Sequence, residues 1–145
     1  MAVDNQHQDD IYPQVADFTF SGGLYRDVNL VFVPKTHFDL DFFGANGLTV
    51  ESKIVGDHQA MLKLHGYTAN AEDLDQVIFR VFDADKNVVA EVCRPAQADT
   101  SVEILLSDLH LWNGVKDPYL YTVTATLLRH NEVLDQVKAR HGFRE

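Results

Sequence analysis

A short acidic stretch supplies the residues whose types and spacing come nearest to a metal site. Asp83, Asp85 and Asn87 stand at alternate positions, like the first three ligands of a calcium-binding EF-hand loop. The match then fails, because Val88 occupies the position of the required glycine and Arg94 that of the terminal glutamate. The flanking segments are also strand-like rather than helical. We therefore expect a polar hairpin turn here and no metal.

The other groups with catalytic or metal-binding chemistry form no recognisable constellation. The seven histidines include no pair at zinc-ligand spacing, and Cys93 is the only cysteine. No Gly-x-Ser-x-Gly motif is present, so a hydrolase-type serine nucleophile is not predicted. Asp39 and Asp41 share one strand face, whereas glycoside hydrolysis needs two carboxyl groups that face each other across a cleft. The sequence therefore predicts no catalytic residue and no metal site.

A group of aromatic residues admits two interpretations. Trp112, Tyr119 and Tyr121 cluster around Pro118, and Phe82 closes a strand-like run. If exposed and coplanar, the rings of Phe82, Trp112 and Tyr119 would form a platform on which sugars stack. Rings of this kind also pack the core and the corners of β-sandwich domains. The alternative function of a stand-alone carbohydrate-binding module therefore stays open.

The composition limits the compartment and the partners of this chain. Its 145 residues include 12 Lys and Arg against 22 Asp and Glu, which gives a net charge of −10. Such a field repels phosphate, so neither nucleic acid nor an anionic membrane is an expected partner. No apolar stretch approaches the ~20 residues of a membrane helix, and no signal peptide is visible. A single cysteine favours a reducing compartment, so we expect a cytoplasmic location.

The elements that must position these residues have the periodicity of strands. In segments such as 101–107 and 120–128, apolar and polar residues alternate, as in half-buried antiparallel strands. Only Leu105–Trp112 allows a helical turn. The pattern predicts an all-β antiparallel sandwich of about seven to nine strands with little or no helix. The predicted strands lie near residues 26–34, 37–43, 47–55, 59–68, 76–83, 87–94, 100–107, 119–129 and 132–141.

Three segments stand out, namely Asp17–Val28, Leu111-Trp112 with Asp117–Val123, and His141–Glu145. Taken in order, they resemble glycoside hydrolase family 2 and most closely its β-galactosidases. Asp17–Val28 (DFTFSGGLYRDV) is similar to the junction between the sugar-binding jelly roll and the next domain, which is immunoglobulin-like. Leu111-Trp112 followed by Asp117–Val123 (DPYLYTV) is similar to a signature near the end of that second domain. The final His141–Glu145 (HGFRE) resembles the run that leads into the catalytic barrel, although the family more often has an aromatic residue before this glycine.

The resemblance implies an immunoglobulin-like antiparallel β-sandwich at residues 26–145, preceded at residues 1–25 by the tail of the sugar-binding domain and a linker. Such a domain is non-catalytic, because the family's two catalytic glutamates belong to a barrel that this chain lacks. We therefore expect an inactive fragment of a parent β-galactosidase of carbohydrate metabolism. Its partners would be the sugar-binding domain and the barrel, with a β-galactoside bound only through the parent. Homo-oligomer contacts are also allowed.

The resemblance also gives roles to individual residues. Asp17 aligns with an aspartate that approaches the galactose and a nearby sodium ion in related β-galactosidases. It is therefore the only residue here with a claim on the parent's active site. No cofactor is expected in this chain itself, whereas the parent would use sodium and magnesium. The residues expected to hold the domain junction structurally are Arg26, Asp27, Trp112, Pro118 and Tyr121.

Overall fold

The computed structural model describes residue 10 and residues 27–144. The chain divides into two units, residues 1–32 and residues 33–145, and every strand that the structure describes belongs to the second. The described residues contain no helix, and hence none long and apolar enough to cross a membrane. The strands are β1 His37–Phe38, β2 Leu48–Gly56, β3 Gln59–Ala69, β4 Asp75–Phe82, β5 Val88–Pro95, β6 Asp99–Leu106, β7 Tyr121–Arg129 and β8 Glu132–His141.

These eight strands form two antiparallel sheets. In the first sheet β3 is central and pairs with β1, β2 and β6. In the second sheet the order is β5–β4–β7–β8. Strand β8 lies near β2, and β5 lies near β6, so the two sheets approach each other along both sides. The structure confirms the predicted all-β, immunoglobulin-like sandwich.

Alternating side chains build the core between the sheets. Along β3, every second residue from Ala60 to Thr68 is buried, and the residues between them are partly exposed. Strands β4 and β7 repeat this pattern, with Phe79 and Leu127 fully buried. Burying a side chain of this size contributes about 1.5–3 kcal/mol to folding. Gly66 leaves room for the Phe79 ring, since an added Cβ would lie 3.1 Å from it.

The beginning of the domain differs from the prediction. Residues 27–34 form no strand, and the strand expected near 37–43 has only two residues. It ends because Asp39 Oδ1 accepts a hydrogen bond from Asp41 N at 2.8 Å, which makes a local turn. The backbone then passes through a positive φ of 51° at Phe43, which no strand residue adopts. Local side-chain bonding therefore overrides the alternating pattern here.

The helical turn that Leu105–Trp112 allowed is not formed. Strand β6 continues to Leu106, and Asp108 then has a positive φ of 55°. Leu109 N donates to His58 O at 2.9 Å, which ties this segment to the β2–β3 turn. The backbone hydrogen bond of Leu109 thus goes to another part of the chain rather than into a helix.

An ion pair between Asp75 and Arg129, with Glu72 beside it, lies at one end of the second sheet. We call these three residues the ionic end. Asp75 is 1% exposed, and its two carboxylate oxygens accept from Arg129 Nε at 2.7 Å and Nη2 at 2.9 Å. Glu72 N also donates to Asp75, and Glu72 Oε2 lies 3.0 Å from Arg129 Nη1. The hydrogen bonds from Arg129 lower the pKa of the Asp75 carboxyl. The pair joins β4 to β7.

Candidate functional site

At the opposite end of the sandwich, the loop before β7 is fixed to the segment that follows β8. A backbone bridge between Asn113 and Asp117 and the positive φ of Gly114, 57°, close this loop on itself. Trp112 N donates to Phe143 O at 2.7 Å. The hydrogen bond holds two segments together that are far apart in the sequence. It also sets the path of the backbone at residue 143.

The side chain of Phe143 lies in the core and is fully buried. Its ring meets the Tyr121 ring edge to face, with centroids 5.1 Å apart, and meets the His141 ring in the same way at 4.9 Å. Edge-to-face packing of this kind is favourable beyond the area that it buries. We call Trp112, Tyr121, His141 and Phe143 the C-terminal cluster.

Two residues of the C-terminal cluster also have polar contacts that connect it to its surroundings. The Tyr121 hydroxyl accepts a hydrogen bond from His110 N at 3.0 Å, and burial raises the pKa of this phenol. His141 Nε2 lies 2.7 Å from Ser52 Oγ, so this contact joins β8 to β2 of the other sheet. Burial lowers the pKa of His141, because the charged imidazolium loses hydration there.

Gly142 lies close against the side chains of Leu120 and Trp112. An added Cβ at this position would lie 3.0 Å from Leu120 Cδ2 and 3.1 Å from Trp112 Cβ. A Cβ atom essentially never comes closer than the first of these distances, so glycine lets the end of β8 pass beside the tryptophan without moving its neighbours. Packing therefore explains the Gly-Phe-Arg run of the sequence. The glycine allows the chain to pass close to Trp112, and the buried phenylalanine side chain holds the chain against the core.

Tyr119 extends the same end towards the β4–β5 turn. Its ring stacks on His110 with centroids 4.0 Å apart, and its hydroxyl accepts from Ala84 N at 3.1 Å. His110 Nε2 also lies 2.6 Å from Asp117 Oδ2. Stacking and hydrogen bonding thus occupy Tyr119, one of the three rings considered for a sugar platform.

Arg144 lies at the open side of the C-terminal cluster. Its guanidinium carbon is 5.9 Å from the centroid of the Trp112 ring, within the range of a cation–π contact. A cavity of about 470 Å³ opens beside this pair and is lined by Leu111, Trp112, Asn113, Gly114 and Arg144. Among the described residues that line this cavity, none carries a carboxylate or an imidazole.

No group of three or more potential metal ligands exists within residues 27–144. At the sequence's nearest match to a calcium loop, the Asp83 carboxylate accepts from Asn87 N at 2.8 Å and from Asn87 Nδ2 at 2.9 Å. These hydrogen bonds lower the pKa of Asp83. The stretch is the polar turn between β4 and β5, and its aspartate and asparagine bind each other.

The residues predicted to hold the domain junction fall into three groups. Trp112 and Tyr121 meet at the C-terminal cluster, and Pro118 is exposed in the loop that precedes β7. Asp27 belongs to the first unit, within residues 27–34, which form no strand. Arg26 and Asp17 lie outside the described residues, so their roles stay predictions. The same holds for the domain boundary between residues 25 and 26.

Two important residues of this end were not singled out from the sequence as site residues. Phe143 belongs to the Gly-Phe-Arg run, whose resemblance to the family was the available signal. Nothing in the sequence pointed to His110. Its backbone N–H and its ring contact Tyr121, Tyr119 and Asp117 only in the folded chain.

Comparison with known proteins decides the family. The sequence pattern of the family described as Glycosyl hydrolases family 2 matches residues 36–144. This chain belongs to glycoside hydrolase family 2. The match confirms the resemblance that was drawn from three short segments, and it covers most of the described residues.

The curated relatives include two kinds of glycosidase. A β-glucuronidase of Bacteroides fragilis is 29% identical over 98% of this chain and 21% of its own length. A β-glucuronidase of Streptococcus agalactiae is 31% identical over 89% of this chain and 19% of its own length. A β-galactosidase of Thermoanaerobacter pseudethanolicus is 27% identical over 98% of this chain and 19% of its own length.

Solved structures show the same relationship. An FMN-binding β-glucuronidase from Faecalibacterium prausnitzii L2-6 is 39% identical, with a TM-score of 0.86 over 95% of this chain and 21% of that structure. A Bacteroides uniformis β-glucuronidase is 30% identical, with a TM-score of 0.84 over 97% of this chain and 18% of that structure. The chain spans about a fifth of the length of these proteins. It therefore corresponds to one part of a family 2 glycosidase.

Proposed function

We propose that this chain is a non-catalytic immunoglobulin-like domain that fixes the relative direction of neighbouring domains in a longer family 2 glycosidase. The observation that carries this proposal is the attachment of Phe143. Its ring is fully buried, and its carbonyl accepts from Trp112 N at 2.7 Å. A segment held at both its side chain and its backbone has little freedom to change direction. A rigid connection of this kind suits a spacer between domains.

The geometry of residues 27–144 supports a structural role rather than bond cleavage. Two of the aspartates within these residues are engaged in turns: Asp39 Oδ1 accepts from Asp41 N, and Asp83 Oδ1 accepts from Asn87 N. Asp75 is the buried carboxylate, and it is neutralised by Arg129. No pair of carboxyl groups among these faces an open cleft, which retaining and inverting glycosidases both need. We assign the reaction to the remainder of the parent protein.

For the substrate of the parent we propose a β-linked glucuronide. The support is the identity of 39% to the glucuronidase structure and of 31% and 29% to two curated glucuronidases. A β-galactoside, which the sequence favoured through Asp17–Phe20, is the second candidate, supported by the β-galactosidases among the relatives. Sodium and magnesium in the parent, a homo-oligomer and a cytoplasmic location stay predictions.

The experiment is a pair of hydrolysis assays on two proteins. The 145-residue chain and the product of the whole reading frame that contains it are each given p-nitrophenyl β-D-glucuronide and p-nitrophenyl β-D-galactoside. We expect no hydrolysis by the chain alone. The longer protein should favour the glucuronide by roughly a hundredfold or more in kcat/KM, because a site built to pair a charged group rejects an analogue that lacks it.

Each assay has its own contradicting result. Hydrolysis by the chain alone, lost on mutation of one of its own residues, would exclude the non-catalytic role. A preference of the longer protein for the galactoside would replace the glucuronide by the second candidate and leave the structural role intact. The two parts of the proposal are therefore tested separately.

A further inference from the structure

The outer face of the second sheet carries a cavity that the structural role does not use. Its volume is about 390 Å³, within the ~300–1,000 Å³ typical of small-molecule sites. It lies where β4 and β7 meet the β4–β5 turn. The lining residues are Phe82, Asp83, Ala84, Lys86, Leu120, Thr122, Thr124 and Arg140.

The wall of this cavity is held in place by the protein itself. Asp83 binds Asn87 through its carboxylate, and Asp83 N donates to Asn87 O at 3.0 Å. The Tyr119 hydroxyl accepts from Ala84 N at 3.1 Å and so fixes the turn from outside. A cavity whose wall is already ordered loses less conformational entropy when it takes a ligand.

The floor and the rim of the cavity differ in chemistry. Phe82 and Leu120 give the floor a half-buried apolar surface, and the hydroxyls of Thr122 and Thr124 border it. Lys86 and Arg140 are exposed at the rim, and none of the ion pairs formed within residues 27–144 includes either cation. Together with the Asp83 carboxylate, these two cations leave one net positive charge in a chain of net charge −10.

The neighbouring groups on the same face make the contrast clear. Arg80 is paired with Glu91, and Thr126 Oγ1 accepts from Gln136 Nε2 at 2.8 Å. Arg80 and Thr126 are thus already bonded within the protein. Thr122, Thr124 and Arg140 instead line the cavity, a space large enough for a ligand.

We propose that this cavity binds a carboxylated pyranose, that is, a uronic acid unit. The apolar face of the sugar ring would lie against Phe82, and the carboxylate would pair with Arg140 and Lys86. Sugar hydroxyls would bond Thr122, Thr124 and the Asp83 carboxylate. The single net charge suits a monoanion, whereas a phosphate would meet repulsion from Asp83. The residues of the cavity alone define this site, whichever glycoside the parent cleaves.

The test is an NMR titration of the ¹⁵N-labelled 145-residue chain with sodium D-glucuronate. D-glucose serves as the neutral analogue without the carboxylate, and sodium acetate and sodium phosphate serve as anions without the sugar. We expect saturable shifts at the amides of Phe82, Thr122 and Thr124, with a dissociation constant on the order of millimolar. Glucose and acetate should each bind at least about tenfold more weakly.

Variants separate the site from general charge effects. Arg140→Gln should weaken glucuronate binding roughly tenfold, and Thr124→Val, which keeps the side-chain volume, roughly fivefold. The matched control is Lys53→Gln, which removes one exposed cation from β2 in the other sheet and should change binding less than about twofold. Dispersed spectra of each variant show that it is folded.

Several outcomes would overturn the proposal. Absence of saturable shifts up to about 50 mM glucuronate would exclude the site. Equal binding of acetate or phosphate would show an adventitious ion only. A loss in Lys53→Gln as large as that in Arg140→Gln would show that the chain attracts the anion without a defined site.

Discussion

Arg129 and the buried Asp75 join β4 to β7 at one end of the sandwich, whereas the rings of Tyr121 and Phe143 pack into the core at the other end. The ionic end connects neighbouring strands of one sheet. The C-terminal cluster connects a loop, a strand and the segment after β8. The first depends on one charged geometry, and the second depends on the volume and contacts of several rings. We therefore assign the proposed fixing of the backbone direction after β8 to the C-terminal cluster. The ionic end stabilises the second sheet.

The largest effect is expected from Phe143→Ala, which removes the ring at the centre of the C-terminal cluster. The truncation should lower the free energy of unfolding by about 3–5 kcal/mol, because it loses buried apolar area and leaves a cavity. Urea unfolding followed by circular dichroism measures this loss. Phe43→Ala is the matched control, since the Phe43 side chain is 93% exposed and its removal should cost less than about 0.5 kcal/mol. Similar losses in the two variants would contradict the packing assigned to Phe143.

The next effect tests the ionic end through Arg129→Met. This change leaves the Asp75 carboxylate buried without its partner, and removing one member of a buried pair costs about 3 kcal/mol or more. The control is Arg80→Met, which breaks the more exposed Arg80–Glu91 pair and should cost about 0–1 kcal/mol. Urea unfolding at pH 7 compares the two. Equal losses would show that burial of Asp75 does not strengthen its pairing.

The pH dependence of the ionic end has a definite sign. Arg129 lowers the pKa of Asp75 in the folded chain below its unfolded value near 3.8. Its contribution is therefore fully present above about pH 4 and is lost as the pH falls through the folded pKa. The stability difference between the wild-type chain and Arg129→Met should be largest near pH 8 and shrink as the pH falls, because the buried carboxyl that has lost its partner in the variant takes up a proton before Asp75 of the wild-type chain does. A difference that stays constant down to pH 2 would contradict the assignment.

The C-terminal cluster also contains a single hydroxyl whose removal tests its polar contacts. Tyr121→Phe keeps the ring but leaves the backbone N–H of His110 without its acceptor, which costs about 1–2 kcal/mol. Tyr67→Phe on the outer face of β3 is the control, and we expect it to change the free energy of unfolding by less than about 0.5 kcal/mol. Thermal unfolding of both variants gives the comparison. A neutral Tyr121→Phe would mean that water replaces the hydroxyl.

The two ends were not equally accessible to prediction from the sequence. The alternation along β3 and β7 is a local property, and it gave the strands and the sandwich correctly. The ionic end joins residues 54 positions apart, and no local pattern relates Asp75 to Arg129. The C-terminal cluster was approached through motif resemblance, which pointed to Trp112 and Tyr121.

The failures of sequence reasoning have equally specific causes. The strand expected near 37–43 is stopped by the hydrogen bond between Asp39 and Asp41, a competition between side chain and backbone that alternation does not reveal. The cavity beside Phe82 depends on Lys86 and Arg140, which come together only when β8 pairs with β7 in the observed register. Phe82 alone was recognised, because an aromatic residue stands out in a sequence and a pair of distant cations does not.

The smallest expected change in stability comes from the protonation of His141. It occurs at a higher pH than the protonation of Asp75, so the two ends of the sandwich can be told apart by pH. Burial lowers the pKa of His141 in the folded chain below its unfolded value of about 6.5. The unfolded chain therefore binds the proton more readily, and stability is full above about pH 6.5 and falls as the pH drops towards the folded pKa. Urea unfolding between pH 8 and pH 5 should show this fall, and His141→Gln should reduce it. Because Asp75 of the wild-type chain titrates only below this range, a fall that persists in His141→Gln would show that His141 is not its source.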